Sequence, residues 1–159
     1  MPIMNKEVQI KVVEASVSNL DDIAILFDAY RQFYEQESNI QGARNFIEMH
    51  MKNGDSVIFL ALSEGNEPLG FVQLYPSFSS VAMKRIWYLN DLYVSENARK
   101  KGFGRALLQK VAAFAKDTDA ITVKLATAVS NEKAKSLYES EGYVKVTAFE
   151  HYTQRVKLA

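Results

Sequence analysis

A basic segment containing two glycines is the part of this 159-residue chain whose residue types most directly indicate chemistry. It consists of Arg99, Lys100, Lys101, Gly102, Phe103, Gly104 and Arg105. Glycine lets the backbone approach a bound anion closely, and cationic side chains add an attractive field. If a helix follows, its first backbone N–H groups lack partners and face the same anion. The segment therefore predicts a site for a phosphate or pyrophosphate group.

The flanking sequence places this basic segment between a strand and a helix. Residues 86–94 are rich in aromatic and branched side chains, which favour a strand. After the segment, apolar residues recur at helical spacing: Leu107, Leu108, Val111, Phe114 and Ala115. The third glycine of a dinucleotide loop is missing, and no Gly-x-x-x-x-Gly-Lys-Ser/Thr pattern occurs. The phosphate loop is therefore of another kind.

A second segment with a helical pattern follows. Residues 121–129 have the composition of a strand, and Asn131 is placed to cap a short helix that ends before Gly142. Near the N-terminus, one face of another helix is marked by Leu20, Ile23, Ala24, Phe27, Tyr30 and Tyr34. Strands are further predicted at 143–146 and 152–158.

Both segments resemble motifs of the Gcn5-related N-acetyltransferase (GNAT) family. The first is similar to the family's pyrophosphate loop, Arg/Gln-x-x-Gly-x-Gly/Ala, at Arg99, Gly102 and Gly104. The second is similar to Asn-x-x-Ala-x-x-Leu-Tyr-x-x-x-Gly-Tyr at Asn131, Ala134, Leu137, Tyr138, Gly142 and Tyr143. Residues 88–99 are most similar to a fungal branch that acetylates histones, polyamines or D-amino acids, and also resemble diamine acetyltransferases.

The order of elements predicts an α/β (α+β) fold in one domain spanning residues 1–159, with a mixed, mostly antiparallel sheet of about seven strands and helices on both faces. The resemblance implies a GNAT fold in which two central strands part to admit the pantetheine arm of acetyl-CoA. It implies cofactor contacts at Leu92, Tyr93 and Val94, at residues 99–105, and at Asn131 and Ala134. A homodimer that pairs through the C-terminal strands is also implied.

The resemblance further implies two candidate catalytic residues. Tyr138 occupies the place of a tyrosine that protonates the departing thiolate, and the alternative is a tyrosine on the core face of its helix with a hydrogen-bonded hydroxyl. Diamine acetyltransferases carry Glu-Asp in the strand where this chain has Asn90-Asp91. An amide cannot act as a base, so Asp91 is the remaining candidate. A structural role for Asp91, a base acting through water, and no dedicated base stay open.

Candidate acceptor-binding residues are Tyr34, Glu35, Trp87 and Asn90. An acid near the end of the first helix would suit a cationic amine, and Trp87 could supply an aromatic wall. A solvated helix end and an ordinary core tryptophan are the competing interpretations.

Composition excludes several classes of protein. Nineteen basic residues balance 19 acidic ones, so neither a nucleic acid nor a membrane surface is an expected partner. The chain has no cysteine and only two histidines, which argues against disulfides, thiolate nucleophiles and metal sites and favours a cytoplasmic location. We expect an N-acetyltransferase that moves acetyl from acetyl-CoA to a primary amine of a small molecule. The alternatives are a protein lysine or N-terminal acetyltransferase and a non-catalytic coenzyme sensor.

Overall fold

The structure, a computed structural model, describes residues 9–157. A five-stranded sheet has its strands in sequence order. The elements are β1 (Lys11–Glu14), α1 (Leu20–Phe33), α2 (Ile40–Asn53), β2 (Val57–Leu62), β3 (Pro68–Ser79), β4 (Lys84–Val94), α3 (Phe103–Asp117), β5 (Thr122–Leu125) and α4 (Glu132–Ser140). Strands β1 to β4 are antiparallel neighbours, and β5 runs parallel to β4.

Helices cover both faces of this sheet, as the sequence predicts. Because side chains alternate along a strand, Phe59 of β2 faces α3 while its neighbour Leu60 faces α1 and α2. The core on the α3 side also takes in Leu137 and Tyr138 of α4. No helix within residues 9–157 is both long and apolar enough to cross a membrane.

The pairing of β4 with β5 stops part-way along β4, in the region where the resemblance implies that two central strands part. Their pairing begins at Ile86 with Thr122 and ends at Leu89 with Leu125, whereas β4 continues to Val94. At the same point β4 carries a β-bulge against β3. Leu89 lies opposite Leu74 and Asp91 lies opposite Gln73, so the residue between them, Asn90, has no partner on β3. The parting and the bulge open the sheet at one place.

The prediction of about seven strands is wrong, since the described sheet has five. The predicted strands at 143–146 and 152–158 are absent between residues 143 and 157, and residue 158 lies outside the described range. Val144, Tyr152 and Val156 are 84%, 89% and 87% exposed. Branched and aromatic residues favour a strand, but a strand also needs a neighbour for its backbone groups. Within residues 9–157, β5 pairs with β4 alone.

Candidate active site

A cavity of about 710 Å³ lies where β4 and β5 part. Its wall is formed by Tyr30, Phe33, Tyr34, Leu89, Asn90, Leu92, Tyr93, Val94, Ala98, Arg99, Lys100, Gly102, Phe103, Gly104, Arg105, Ala126, Thr127, Asn131, Lys133, Ala134, Leu137 and Tyr138. We call the part around Gly102 and Gly104 the glycine end, and the part around Tyr30, Tyr34 and Tyr138 the tyrosine end.

The glycine end is built by the start of α3. Gly102 caps this helix with φ +91°, a left-handed conformation that strains any residue with a side chain. A Cβ on Gly104 would lie 3.1 Å from Cδ2 of Leu137, so glycine allows α3 and α4 to approach closely here. The first N–H groups of α3 have no partner within the helix and open toward the cavity. This end can therefore hold an anion on backbone groups.

The cationic residues of the basic segment have different roles. Arg99 donates through Nε to the carbonyl oxygen of Val94 at 3.0 Å, and its guanidinium lies 5.7 Å from the ring centre of Phe33. Arg105 forms an ion pair with Glu141 that ties α3 to the end of α4. Lys101 donates to the carbonyl oxygen of Asn97 and does not line the cavity. Arg99 and Arg105 thus hold parts of the cavity wall in place, and Arg99, which has no acidic partner among the described residues, adds positive charge to it.

The tyrosine end brings together phenols from helices that are far apart in the sequence. Tyr138 lies on α4, whereas Tyr30 lies on α1 and Tyr34 follows it. Burial, with a smaller contribution from the charge of an ionised Tyr34, raises the pKa of Tyr138 to about 12. The phenol of Tyr138 therefore keeps its proton at neutral pH and can donate it.

Asp91 lies behind the cavity wall. Its carboxylate accepts hydrogen bonds from Nε2 of Gln73 at 2.7 Å and from Nδ2 of Asn90 at 3.0 Å. Asp91 is only 5% exposed, whereas its neighbour Asn90 is exposed and lines the cavity. No group of three or more metal-ligating acids or histidines occurs between residues 9 and 157.

Comparison with known proteins identifies the family. The model of the acetyltransferase (GNAT) family matches residues 23–143, which is more than half of the chain. The chain belongs to the GNAT family. An uncharacterized N-acetyltransferase, YhfO, from Bacillus subtilis is 47% identical over 90% of this chain and 95% of the relative. A crystal structure described as a probable acetyltransferase superposes with a TM-score of 0.89 at 41% identity, covering 92% of this chain and 98% of the other.

The fungal resemblance is more distant than the motif suggests. A D-amino-acid N-acetyltransferase of Saccharomyces cerevisiae is 33% identical over 51% of this chain and 50% of the relative. The bacterial protein matches at higher identity over far more of the chain. Together with the fold and the cavity, these relatives make the chain an N-acetyltransferase of GNAT type.

Most of the residues predicted for a GNAT cofactor site lie on the cavity wall. The three residues Leu92, Tyr93 and Val94 line it. Asn131 lines it and also caps α4, because its Oδ1 accepts a hydrogen bond from the backbone N–H of Ala134 at 3.2 Å. Asn131 therefore caps α4 and lines the cavity at the same time.

Two of the predicted acceptor residues lie elsewhere. Trp87 is 6% exposed, donates its indole N–H to Oγ1 of Thr118 at 2.8 Å and packs against Phe114 in the core facing α3. Glu35 is exposed just after α1 and does not line the cavity. Tyr34 and Asn90 are on the wall.

Sequence reasoning misses several wall residues, among them Tyr30, Phe33, Thr127 and Lys133. Helical spacing assigns Tyr30 only to the buried face of its helix. The available signal is a tyrosine at a position where a purely apolar side chain would pack equally well, four residues before Tyr34.

Proposed function

We propose that the protein transfers the acetyl group of acetyl-CoA to a primary amine of a small molecule by direct attack on the thioester. The observation that carries this proposal is that one cavity joins the glycine end to Tyr138. A pyrophosphate suits the free N–H groups of α3, and the separated strands leave room for an extended arm that leads to the phenol. Lys100 and Lys133 on the wall add charge of the sign that a polyanionic coenzyme needs.

The chemistry follows from the tyrosine end. The lone pair of a neutral amine forms a bond to the thioester carbon, and negative charge grows on the carbonyl oxygen. Backbone N–H groups beside the bulge at Asn90 are the donors proposed to stabilise that oxygen. The C–S bond then breaks, and the leaving thiolate takes the proton of Tyr138. Burial raises the pKa of this phenol and would likewise raise the pKa of a thiol formed beside it, which favours transfer of the proton to sulfur.

A small acceptor is favoured by the composition of the tyrosine end. Besides Tyr138, the cavity wall carries the aromatic rings of Tyr30, Phe33 and Tyr34 and the amide of Asn90, which suit one amine on a compact body. The yeast relative is named for an acceptor of this size, a D-amino acid. Amino acids therefore come first among the acceptors to test.

The test is release of free thiol from acetyl-CoA against a panel of L- and D-amino acids, polyamines, lysine analogues and histone-tail peptides. The chain contributes no thiol background because it has no cysteine. We expect turnover with a small amine and its loss in Tyr138→Phe. Turnover with peptides alone would assign a protein acceptor instead. Stabilisation of the fold by acetyl-CoA without any turnover would assign a coenzyme sensor.

We also infer a homodimer in which the C-terminal segment, residues 143–157, pairs with the free edge of β5 in a second copy. The segment carries exposed apolar residues at Val144, Val146, Phe149, Tyr152 and Val156. Such residues are seldom left in water along a strand-forming segment, and an open strand edge is where they pair. Light scattering should give twice the chain mass. The variant Val144→Asp/Val146→Asp should give a monomer, and a monomeric wild type would contradict the inference.

A further inference from the structure

A polar pair lies in the sheet directly behind the tyrosine end. Phe71 pairs with Tyr93 across β3 and β4, and Gln73 pairs with Asp91 next to them. Since alternate residues of a strand point to the same face, all four side chains face α1. Gln73 is fully buried, and its Oε1 has no hydrogen-bond partner among the described residues. Gln73 and Asp91 therefore form a buried polar pair beside the aromatic pair of Phe71 and Tyr93, with one amide oxygen left without a partner among the described residues.

Tyr30 stands between this pair and the cavity. Its ring packs edge-on against Phe71 and Tyr93, with centroids 5.9 and 6.3 Å apart. The same residue lines the cavity. Asp91 lies two residues before Tyr93 on the face of β4 that the Tyr30 ring covers, so strand geometry places the carboxylate next to this ring. In keeping with this position, burial and, next, the negative charge of Asp91 raise the pKa of Tyr30 far above its usual range. Asn90 also connects Asp91 to the cavity, but its amide cannot relay a proton as a hydroxyl can. Tyr30 is thus the wall residue with a hydroxyl through which Asp91 can act on the cavity.

We propose that Tyr30 receives the nitrogen of the acceptor amine and that Asp91 positions the Tyr30 hydroxyl from behind. This inference rests on the proposed function. A phenol that donates its proton to a carboxylate presents only lone pairs to the cavity, so it accepts an N–H of the amine and turns the nitrogen lone pair toward the thioester. The hydrogen bonds from Gln73 and Asn90 hold the carboxylate in place.

The proton balance closes within the site. As the C–N bond forms, one proton of the amine moves to the oxygen of Tyr30, and the hydroxyl proton of Tyr30 moves to Asp91. As the C–S bond breaks, Tyr138 gives its proton to the sulfur. Asp91 has then gained one proton and Tyr138 has lost one. Tyr30 lies close enough to Tyr138 for the charge of an ionised Tyr138 to act on it. Return of the proton from Asp91 to Tyr138 through Tyr30 restores the enzyme, and the products are an amide and a free thiol.

Tyr75 provides a matched control. It lies on the same face of β3, two residues after Gln73, and the charge of Asp91 likewise contributes, after burial, to raising its pKa to about 12. It does not line the cavity. Tyr75→Phe therefore removes the same atom from a similar setting without removing a group that the amine could reach.

The experiment compares kcat and KM of the wild type, Tyr30→Phe, Asp91→Asn, their double variant and Tyr75→Phe. We expect kcat to fall about 100-fold in Tyr30→Phe with an unchanged KM for acetyl-CoA, which also shows that the variant is folded. Asp91→Asn should lower kcat to a similar degree. The double variant should lose no more than the worse single variant, because both residues act on one proton. Tyr75→Phe should stay within about twofold of the wild type.

Multiplying losses in the double variant, or equal losses in Tyr30→Phe and Tyr75→Phe, would overturn the inference. The urea midpoints of the same proteins test the contact between Tyr30 and Asp91 without turnover, since shifts that simply add would also overturn it. A wild type without turnover on the amine panel would overturn the proposed function itself. Wild-type turnover with an unaffected Tyr30→Phe would overturn this inference alone.

Discussion

The glycine end and the tyrosine end of the cavity are built in different ways. One contiguous segment, from Arg99 to Arg105, supplies most of the glycine end. This end depends on backbone N–H groups and on two glycines, which leave space because they have no side chain. The tyrosine end draws Tyr30, Asn90 and Tyr138 from α1, β4 and α4, and each contributes particular side-chain atoms. Changes at the glycine end should therefore alter binding, whereas loss of a single oxygen at the tyrosine end should alter turnover.

Removing the Tyr138 hydroxyl should have a large effect, equal to that expected for Tyr30→Phe. Tyr138→Phe keeps the ring packed edge-on against Tyr143 at 5.8 Å but deletes the proton donor. We expect kcat to fall about 100-fold and the Kd for acetyl-CoA to stay the same, because general acid catalysis of this kind contributes about that much. Thiol release and calorimetry measure the two quantities. A changed Kd for acetyl-CoA with an unchanged kcat would show that the Tyr138 hydroxyl acts in binding and not in turnover, contrary to the difference expected between the two ends.

From neutral to alkaline pH, the rate of turnover should follow only the ionisation of the acceptor amine. The pKa of Tyr138 is raised to about 12, so its protonated, active form persists below that pH and is lost only as the pH rises through it. The rate at low acceptor concentration should rise about tenfold per pH unit until the amine has lost its proton. It should then stay level to pH ~11. A decline near pH ~10, the ordinary value for a phenol, would show that burial does not hold the proton.

A side chain at the glycine end should weaken coenzyme binding moderately. Gly102 and Gly54 both flank a helix with positive φ, +91° and +65°, and a Cβ added to Gly54 would meet no atom within 4 Å. Alanine at either position should cost about 1–2 kcal/mol of stability, because both conformations strain a residue with a Cβ. Only Gly102→Ala should also raise the Kd for acetyl-CoA, by about fivefold. Equal binding by both variants would show that the start of α3 does not contact the coenzyme.

The smallest effect on the reaction is expected at Trp87. Trp87→Phe removes the indole hydrogen bond to Thr118 in the core and should lower the free energy of unfolding by about 1–2 kcal/mol. The KM for the acceptor should stay within about twofold, since this residue does not line the cavity. Urea unfolding measures the free energy of unfolding, and initial rates on the same preparation measure the KM. A KM for the acceptor raised several-fold would instead show that Trp87 contributes to the acceptor site.

The sequence predicts the glycine end better than the tyrosine end for a physical reason. A phosphate loop is a local device, so the spacing of Arg99, Gly102 and Gly104 carries nearly all of it. Helices α1 and α3 are also predicted close to their observed positions, because their apolar faces repeat at helical spacing. The place of Tyr30 depends instead on which strands α1 covers, and helical spacing says only that the residue is on the inner face.

Pairing between strands is the second property that the residues do not reveal by themselves. Asp91 is a candidate base by its type, but its position behind the wall follows from the register of β3 and β4. The prediction of two C-terminal strands is wrong for a related reason. Val144 and Val146 have the right propensity, yet no described strand lies beside them.

The bulge at Asn90 has a consequence for how this chain tolerates change. Leu89 and Asp91 already point to opposite faces and already lie opposite neighbouring residues of β3, Leu74 and Gln73. A chain shortened by Asn90 alone would keep every side chain on its own face and would gain an unbroken ladder. Such a deletion should melt at a higher temperature and yet release no thiol from acetyl-CoA. The extra residue Asn90 would then lower the stability of the fold, and its benefit would lie in the reaction alone.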